Sequence, residues 1–182
     1  MIHPLTQIKP ARRTHYFYPL LGLTLLLLLV MNFVGLPLNT SAAPQGIVSF
    51  EFAATPARAQ QMLDSWSSVG LIRAGFIQGL DFLFPLAYST TVGLACIMAS
   101  AVIERRRQPI SRLGAPLAWG LWIAALLDFV ENIALVILLF GRVQSPWPQI
   151  AAVCAAIKFA LLLLGLVYAF YGLAMKAVPA SS

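Results

Sequence analysis

Residues 125–136, ALLDFVENIALV, place Asp128, Glu131 and Asn132 inside an otherwise apolar run. At 3.6 residues per turn the three side chains span about a 100° arc of one helix, so they form a single polar face. A carboxylate at bilayer depth costs at least about 2.5 kcal/mol and needs partners within the protein. The stretch therefore predicts a membrane helix whose polar side packs against other helices.

The composition indicates an integral membrane protein. Of 182 residues, 60% are hydrophobic and only 10% are charged, whereas about a quarter are charged in soluble domains. The mean hydropathy is +0.84. The net charge of +6 comes from short clusters beside apolar runs, which are typical of topology signals. Because no basic domain interleaved with aromatic residues is present, we expect no nucleic-acid partner.

Apolar runs predict an all-α fold, a four-transmembrane-helix bundle with a short outer loop domain. Predicted inner segments carry eight Lys or Arg residues and outer segments three, which places both termini in the cytoplasm and the protein in the bacterial inner (plasma) membrane. The apolar run 20–38 also resembles a secretory signal, but it exceeds the usual length of about 7 to 15 residues, so a retained span is expected.

The predicted order is a cytoplasmic basic tail 1–19, spans 20–38, 74–103, 115–140 and 150–175, an outer loop 39–73, a cytoplasmic basic loop 104–114, an outer turn 141–149 and a cytoplasmic tail 176–182.

The outer loop carries two patterns. Val48, Phe50 and Phe52 alternate at strand period, which predicts a strand-like segment at 46–52. Thr55 before Pro56 is a helix-opening pair, and Ala59, Met62, Leu63 and Trp66 then recur at helical spacing, which predicts an amphipathic helix at 56–67. Its apolar face is expected on the bilayer surface, over the end of the bundle or within a packed external loop.

The second span contains a proline at 85. A proline within a helix leaves the carbonyl four residues earlier without its donor, and that residue is Asp81. Tyr88 follows on the same face as Asp81, seven residues later. The sequence therefore predicts a kink with an acidic side chain and an unbonded carbonyl at one level.

A polar cluster is expected where three spans meet. Asp81, Glu131 and Lys158 lie at similar predicted depths, about 12 to 15 Å below the outer ends of their spans, and Lys158 shares a helix face with small residues that permit close approach. Asp81, Asp128 and Glu131 outnumber Lys158, and full ionisation would leave buried negative charge uncompensated. We therefore expect raised pKa values of the carboxyl groups, a bound cation or ligand amine, or the side chain of Arg73 reaching in from the outer end of its span. The predicted ligand or ion pocket comprises Asp81, Tyr88, Asp128, Glu131, Asn132 and Lys158.

Other chemistry has little support in the sequence. Cys96 and Cys154 have no neighbouring ligands at metal spacing, so no metal site is expected. They are predicted near opposite ends of their spans, too far apart for a disulfide. His3 and His15 are interpreted as solvated tail residues. No cofactor is expected, and no catalytic residue is assigned. The expected partners are the lipid bilayer and either other membrane subunits or a homo-oligomer.

The motif order GLDFLFPLAYS, LLDFVENIAL and IKFALLL, with the loop segment GIVSFEFAATPARAQQMLDSW, resembles bacterial four-helix membrane proteins of uncharacterised activity. This resemblance implies the fold and the membrane location and no activity. A more distant resemblance is to the sterol-isomerase-like four-helix family, which places carboxylates in a membrane cavity. The histidine of that family has no counterpart within the spans of this sequence.

Three functional hypotheses follow from the cluster. The first is a ligand-binding or accessory subunit of a larger membrane assembly. The second is proton- or cation-coupled transport along the carboxylates, and the third is acid-base catalysis on a lipid-like substrate, with Asp128 or Glu131 as the general acid. A purely structural role, in which the polar groups fix helix register, is a further interpretation.

Overall fold

The computed structural model describes residues 3–177; residues 178–182 of the predicted C-terminal tail and residues 1–2 lie outside the described part. Three short 3-10 helices occupy Pro4–Gln7, Leu36–Leu38 and Pro109–Leu113. The α-helices of the described range are α1 Pro10–Gly35, α2 Ile47–Glu51, α3 Pro56–Ser65, α4 Ser68–Leu80, α5 Phe84–Arg105, α6 Gly114–Leu139 and α7 Trp147–Ala177.

Four segments of the described chain are long and apolar enough to cross a membrane: Pro10–Leu38, Phe84–Arg105, Pro109–Leu139 and Trp147–Ala177. Each exceeds the roughly 20 residues that a bilayer core requires. The all-α prediction with four candidate spans is confirmed, and the spans indicate a membrane protein. The bacterial inner membrane and the orientation of the termini stay predictions.

The chain forms two compact units, and the long helices contribute to both. Within the described range, the first unit comprises residues 3–24, 86–125 and 158–177. The second comprises Leu25–Pro85 and Leu126–Ile157. Each unit has its own apolar core, so each is described by itself.

The predicted strand-like segment at 46–52 is wrong, because residues 3–177 contain no strand. Gly46 adopts a positive φ of 55° and Ile47–Glu51 form the helical turn α2. Phe50 is fully buried against Trp66, with ring centroids 5.3 Å apart, whereas Phe52 is exposed. A lone strand would leave its backbone groups unpaired, and a helical turn bonds them internally.

Helix α3 begins where the Thr55–Pro56 pair predicts, with Thr55 Oγ1 accepting a hydrogen bond from the Arg58 backbone N–H at 3.3 Å. Its apolar stripe, which Met62 and Leu63 belong to, is buried in the core of the second unit. Trp66 follows the helix and donates from Nε1 to the Leu38 carbonyl at 2.9 Å. The stripe therefore packs against protein within this unit.

In the first unit α7 approaches its neighbours through small residues. A Cβ added at Gly172 would overlap Ala99 of α5, and one added at Gly165 would lie 3.0 Å from the Leu121 side chain of α6. The Cys96 thiol donates to the Gly165 carbonyl at 3.3 Å. Glycine at these positions lets the helix backbones approach each other closely.

His3 is not a solvated tail residue, contrary to the sequence interpretation. Its side chain is fully buried, and its ring meets those of Trp119 and Trp122 edge-on, with centroids 4.7 and 4.5 Å apart. Its Nδ1 accepts the Leu5 backbone N–H at 3.1 Å and caps the first 3-10 helix. Burial lowers the pKa of this imidazole, since charge is disfavoured away from water.

Candidate ligand site

Helix α6 carries the acidic part of the candidate site in the second unit. Asp128, Glu131 and Asn132 are all buried, with exposed fractions of 1%, 0% and 0%. Their spacing of three and four residues places them on one face of the helix. The apolar residues around them make this helix stable in a bilayer, so the polar face can be turned toward protein.

The break between α4 and α5 supplies a backbone acceptor to that face. Helix α4 ends at Leu80, Asp81 caps it, and α5 begins at Phe84, directly before Pro85. Since proline has no N–H, the Asp81 carbonyl has no partner at residue 85. Asn132 Nδ2 donates to this carbonyl at 2.7 Å, so the break gives α6 a contact with the end of α4.

Gln78 belongs to the same cluster, although sequence reasoning did not single it out. It lies on α4, one turn before Asp81, and it is fully buried. Its Nε2 donates to Asn132 Oδ1 at 3.2 Å. The signal that could have found it is a lone amide three residues before Asp81 in an apolar helix.

These two hydrogen bonds fix the direction of both amides. The Asp81 carbonyl can only accept, so Asn132 must present its NH₂ group to it and its Oδ1 to Gln78. Gln78 must then present Nε2 to Asn132. Its remaining oxygen, Oε1, is buried and has no hydrogen-bond partner among the described residues. The two hydrogen bonds, from Gln78 to Asn132 and from Asn132 to Asp81, form an amide relay. This relay ends at Gln78 Oε1, an acceptor that lacks a donor.

The structure groups the predicted site residues by unit. Asp81, Asp128, Glu131 and Asn132 belong to the second unit, and Asn132 contacts Asp81 directly. Tyr88 on α5 and Lys158 on α7 belong to the first unit, where they are 4% and 5% exposed. Their inclusion in the site stays a prediction.

The site has the chemistry of an acceptor-rich cluster. It offers the oxygens of Gln78 and three carboxyl groups, all within an apolar surrounding. Among residues 3–177, no group of three His, Cys, Asp or Glu side chains could hold a metal ion. The arrangement can bind protons or the N–H and O–H donors of a ligand.

Comparison with protein-family models, curated proteins and solved structures yields no match. The resemblance to four-helix membrane proteins therefore stays a prediction.

Proposed function

We propose that the chain is a small protein of the bacterial inner membrane that binds a lipid-soluble ligand carrying N–H donors. It would act as a ligand-binding or accessory subunit of a larger membrane assembly. Gln78, Asp81 and Asn132 form the centre of the proposed site, and Asp128 and Glu131 flank it on α6. Both termini are proposed to be cytoplasmic, because the predicted inner segments carry most of the basic residues.

One observation carries this proposal, the unpartnered Gln78 Oε1 at the end of the relay. A buried polar atom without a partner costs about 1–3 kcal/mol. The bond from Gln78 Nε2 to Asn132 satisfies the other end of the amide and leaves Oε1 unpaired. A ligand that donates to Oε1 would recover this cost.

The surrounding groups favour a protonated amine as the donor. Asp128 and Glu131 share a helix face with Asn132, and all three are buried. A carboxylate gains most from a cationic N–H group, because such hydrogen bonds are about twice as strong as neutral ones. The ligand must also be apolar elsewhere to enter a membrane-embedded site.

Alkyl probes of one chain length test the proposal in detergent-solubilised protein. Dodecylamine offers a cation with N–H donors, whereas dodecyltrimethylammonium offers a cation without them. We expect dodecylamine to raise the melting temperature of the wild type and the trimethyl compound to leave it unchanged. The Gln78→Leu variant should lose the response to dodecylamine.

A structural role gives a different result. In that case neither probe distinguishes Gln78→Leu from the wild type, whatever the substitution does to the basal melting temperature. Equal shifts with both probes would point to general detergent-like binding and would also overturn the proposal.

A second candidate, proton- or cation-coupled transport, is favoured by the count of buried charges. Glu51, Asp81, Asp128 and Glu131 are buried, whereas Lys158 is the one buried Lys or Arg side chain in the described chain. A series of buried carboxyl groups can pass protons or cations through an apolar layer. Proteoliposomes loaded with a pH-sensitive dye should then show proton flux above empty vesicles under an imposed gradient, and Glu131→Gln should abolish it. Flux equal to that of empty vesicles would exclude this candidate.

A further inference from the structure

A charged cleft opens in the first unit, and none of its lining residues belongs to the acceptor-rich cluster. It has a volume of about 320 Å³ and is bounded by the first 3-10 helix, α1, α5, the 3-10 helix Pro109–Leu113 and α6. Its polar lining consists of Thr6, Arg13, Ser100, Glu104, Ser111 and Arg112. Ligand pockets begin at about 300 Å³, so this cleft suits a small polar group.

Two guanidinium groups, those of Arg13 and Arg112, line the charged cleft. Arg13 is held in place, since its Nε donates to the Ile8 carbonyl at 3.0 Å and its Nη2 to the Thr6 carbonyl at 3.1 Å. These bonds leave further N–H groups of Arg13 available. Arg112 is exposed and forms no ion pair within residues 3–177. Guanidinium groups match the geometry of phosphate oxygens.

Other residues that line the charged cleft can accept hydrogen bonds. Glu104 makes no ion pair with any other part of the described chain, although Arg112 lines the same cleft. The Ser100 hydroxyl donates to the Ser111 carbonyl at 2.6 Å, and the Thr6 hydroxyl donates to the His3 carbonyl at 2.6 Å. Their protons are therefore used, and their lone pairs can accept from an ammonium group.

The charged cleft also lies where the candidate spans end. Glu104 is in the last turn of span Phe84–Arg105, and Ser111 and Arg112 lie at the start of span Pro109–Leu139. Residues at span ends meet the lipid headgroups. Ile97 and Ala115 add an apolar wall to the cleft, which a glycerol backbone or acyl chain can contact.

We propose that the charged cleft binds a phosphoethanolamine group, with phosphate on Arg13 and Arg112 and ammonium on Glu104 and Ser100. A membrane phospholipid supplies this group, because the cleft lies at the span ends. A site for an anionic lipid would need no carboxylate. The unpaired Glu104 therefore favours a headgroup that carries an ammonium group beside its phosphate. This site is independent of the ligand proposed for the acceptor-rich cluster.

Native mass spectrometry of the full chain in mixed micelles tests the proposal. Phosphatidylethanolamine, phosphatidylglycerol and phosphatidylcholine with identical acyl chains are supplied in equal amounts. We expect the wild type to retain phosphatidylethanolamine over the other two by about tenfold, the scale of one charge-assisted hydrogen bond. Glu104→Gln should reverse the preference toward phosphatidylglycerol, and Arg112→Gln should weaken retention of both.

Arg105→Gln is the matched control, because Arg105 is exposed at the end of α5 and does not line the cleft. Its lipid preference should equal that of the wild type. Equal retention of phosphatidylethanolamine and phosphatidylcholine would overturn the proposal, since the latter has no N–H donor. An unchanged preference in Glu104→Gln would overturn it as well. Retention of soluble phosphoethanolamine as tight as that of phosphatidylethanolamine would refute the lipid as the source.

Discussion

Asn132 Nδ2 donates to the backbone carbonyl of Asp81 at 2.7 Å, joining α6 to the point where α4 ends. This hydrogen bond couples a side chain to a helix break that Pro85 creates. It also sets the orientation of the Gln78 amide, and therefore the position of its unpartnered Oε1.

Replacing Asn132 by leucine should destabilise the protein. The change leaves the Asp81 carbonyl and Gln78 Nε2 buried without their partner, at a cost of about 1–3 kcal/mol. Unfolding titrated with sodium dodecyl sulfate measures the free energy. Asn32→Leu is the matched control, because Asn32 is exposed on α1 and donates only to Leu28 of its own helix; its effect should stay within about 0.5 kcal/mol. Equal effects of the two substitutions would show that the relay adds no stability.

The break between α4 and α5 should shrink in Pro85→Ala. Alanine restores an N–H at residue 85, which can donate to the Asp81 carbonyl and compete with Asn132. Hydrogen exchange should then show a protected amide at residue 85, and the response to dodecylamine should weaken. Pro56→Ala at the first turn of α3 is the control, since an N–H there has no partner within the helix. A rapidly exchanging amide at residue 85 would contradict the expectation.

Much of the architecture could be predicted from the sequence, since four apolar runs and one capped amphipathic helix depend on local patterns. The segment at 46–52 could not, because alternation over seven residues does not distinguish a strand from a helical turn until the partner of Phe50 is known. His3 was misjudged for a similar reason, as the two tryptophans that bury it lie on α6. The Asp81 carbonyl was found because proline removes a donor at a fixed distance. Gln78 was missed because a neutral amide carries no charge that must be balanced.

Close packing of α7 predicts a strong response at Gly172. A methyl group there would overlap Ala99, and overpacking costs about 1–3 kcal/mol. Gly172→Ala should therefore lower the free energy of unfolding in detergent by that amount. Gly22→Ala on α1 is the control, because nothing lies within 4 Å of its Cβ, and alanine should be neutral or stabilising by up to about 1 kcal/mol. A neutral Gly172→Ala would mean that α5 and α7 can separate without cost.

The stability of the chain should fall at acidic pH through His3. Burial lowers the pKa of this imidazole in the folded state below the value of about 6.5 in the unfolded chain. Well above pH 6.5 neither state binds the proton, so this group costs no stability. As the pH falls through about 6.5, the unfolded chain takes up a proton that the folded chain does not, and stability is lost with a slope of up to about 1.4 kcal/mol per pH unit. Melting temperatures across this range should show the loss in the wild type and in His15→Phe, whose native side chain is exposed. In His3→Phe the aromatic contact with Trp119 and Trp122 can be kept while the proton site is gone, so the loss should be smaller than in the wild type. Identical pH profiles of His3→Phe and the wild type would show that another group controls acid stability.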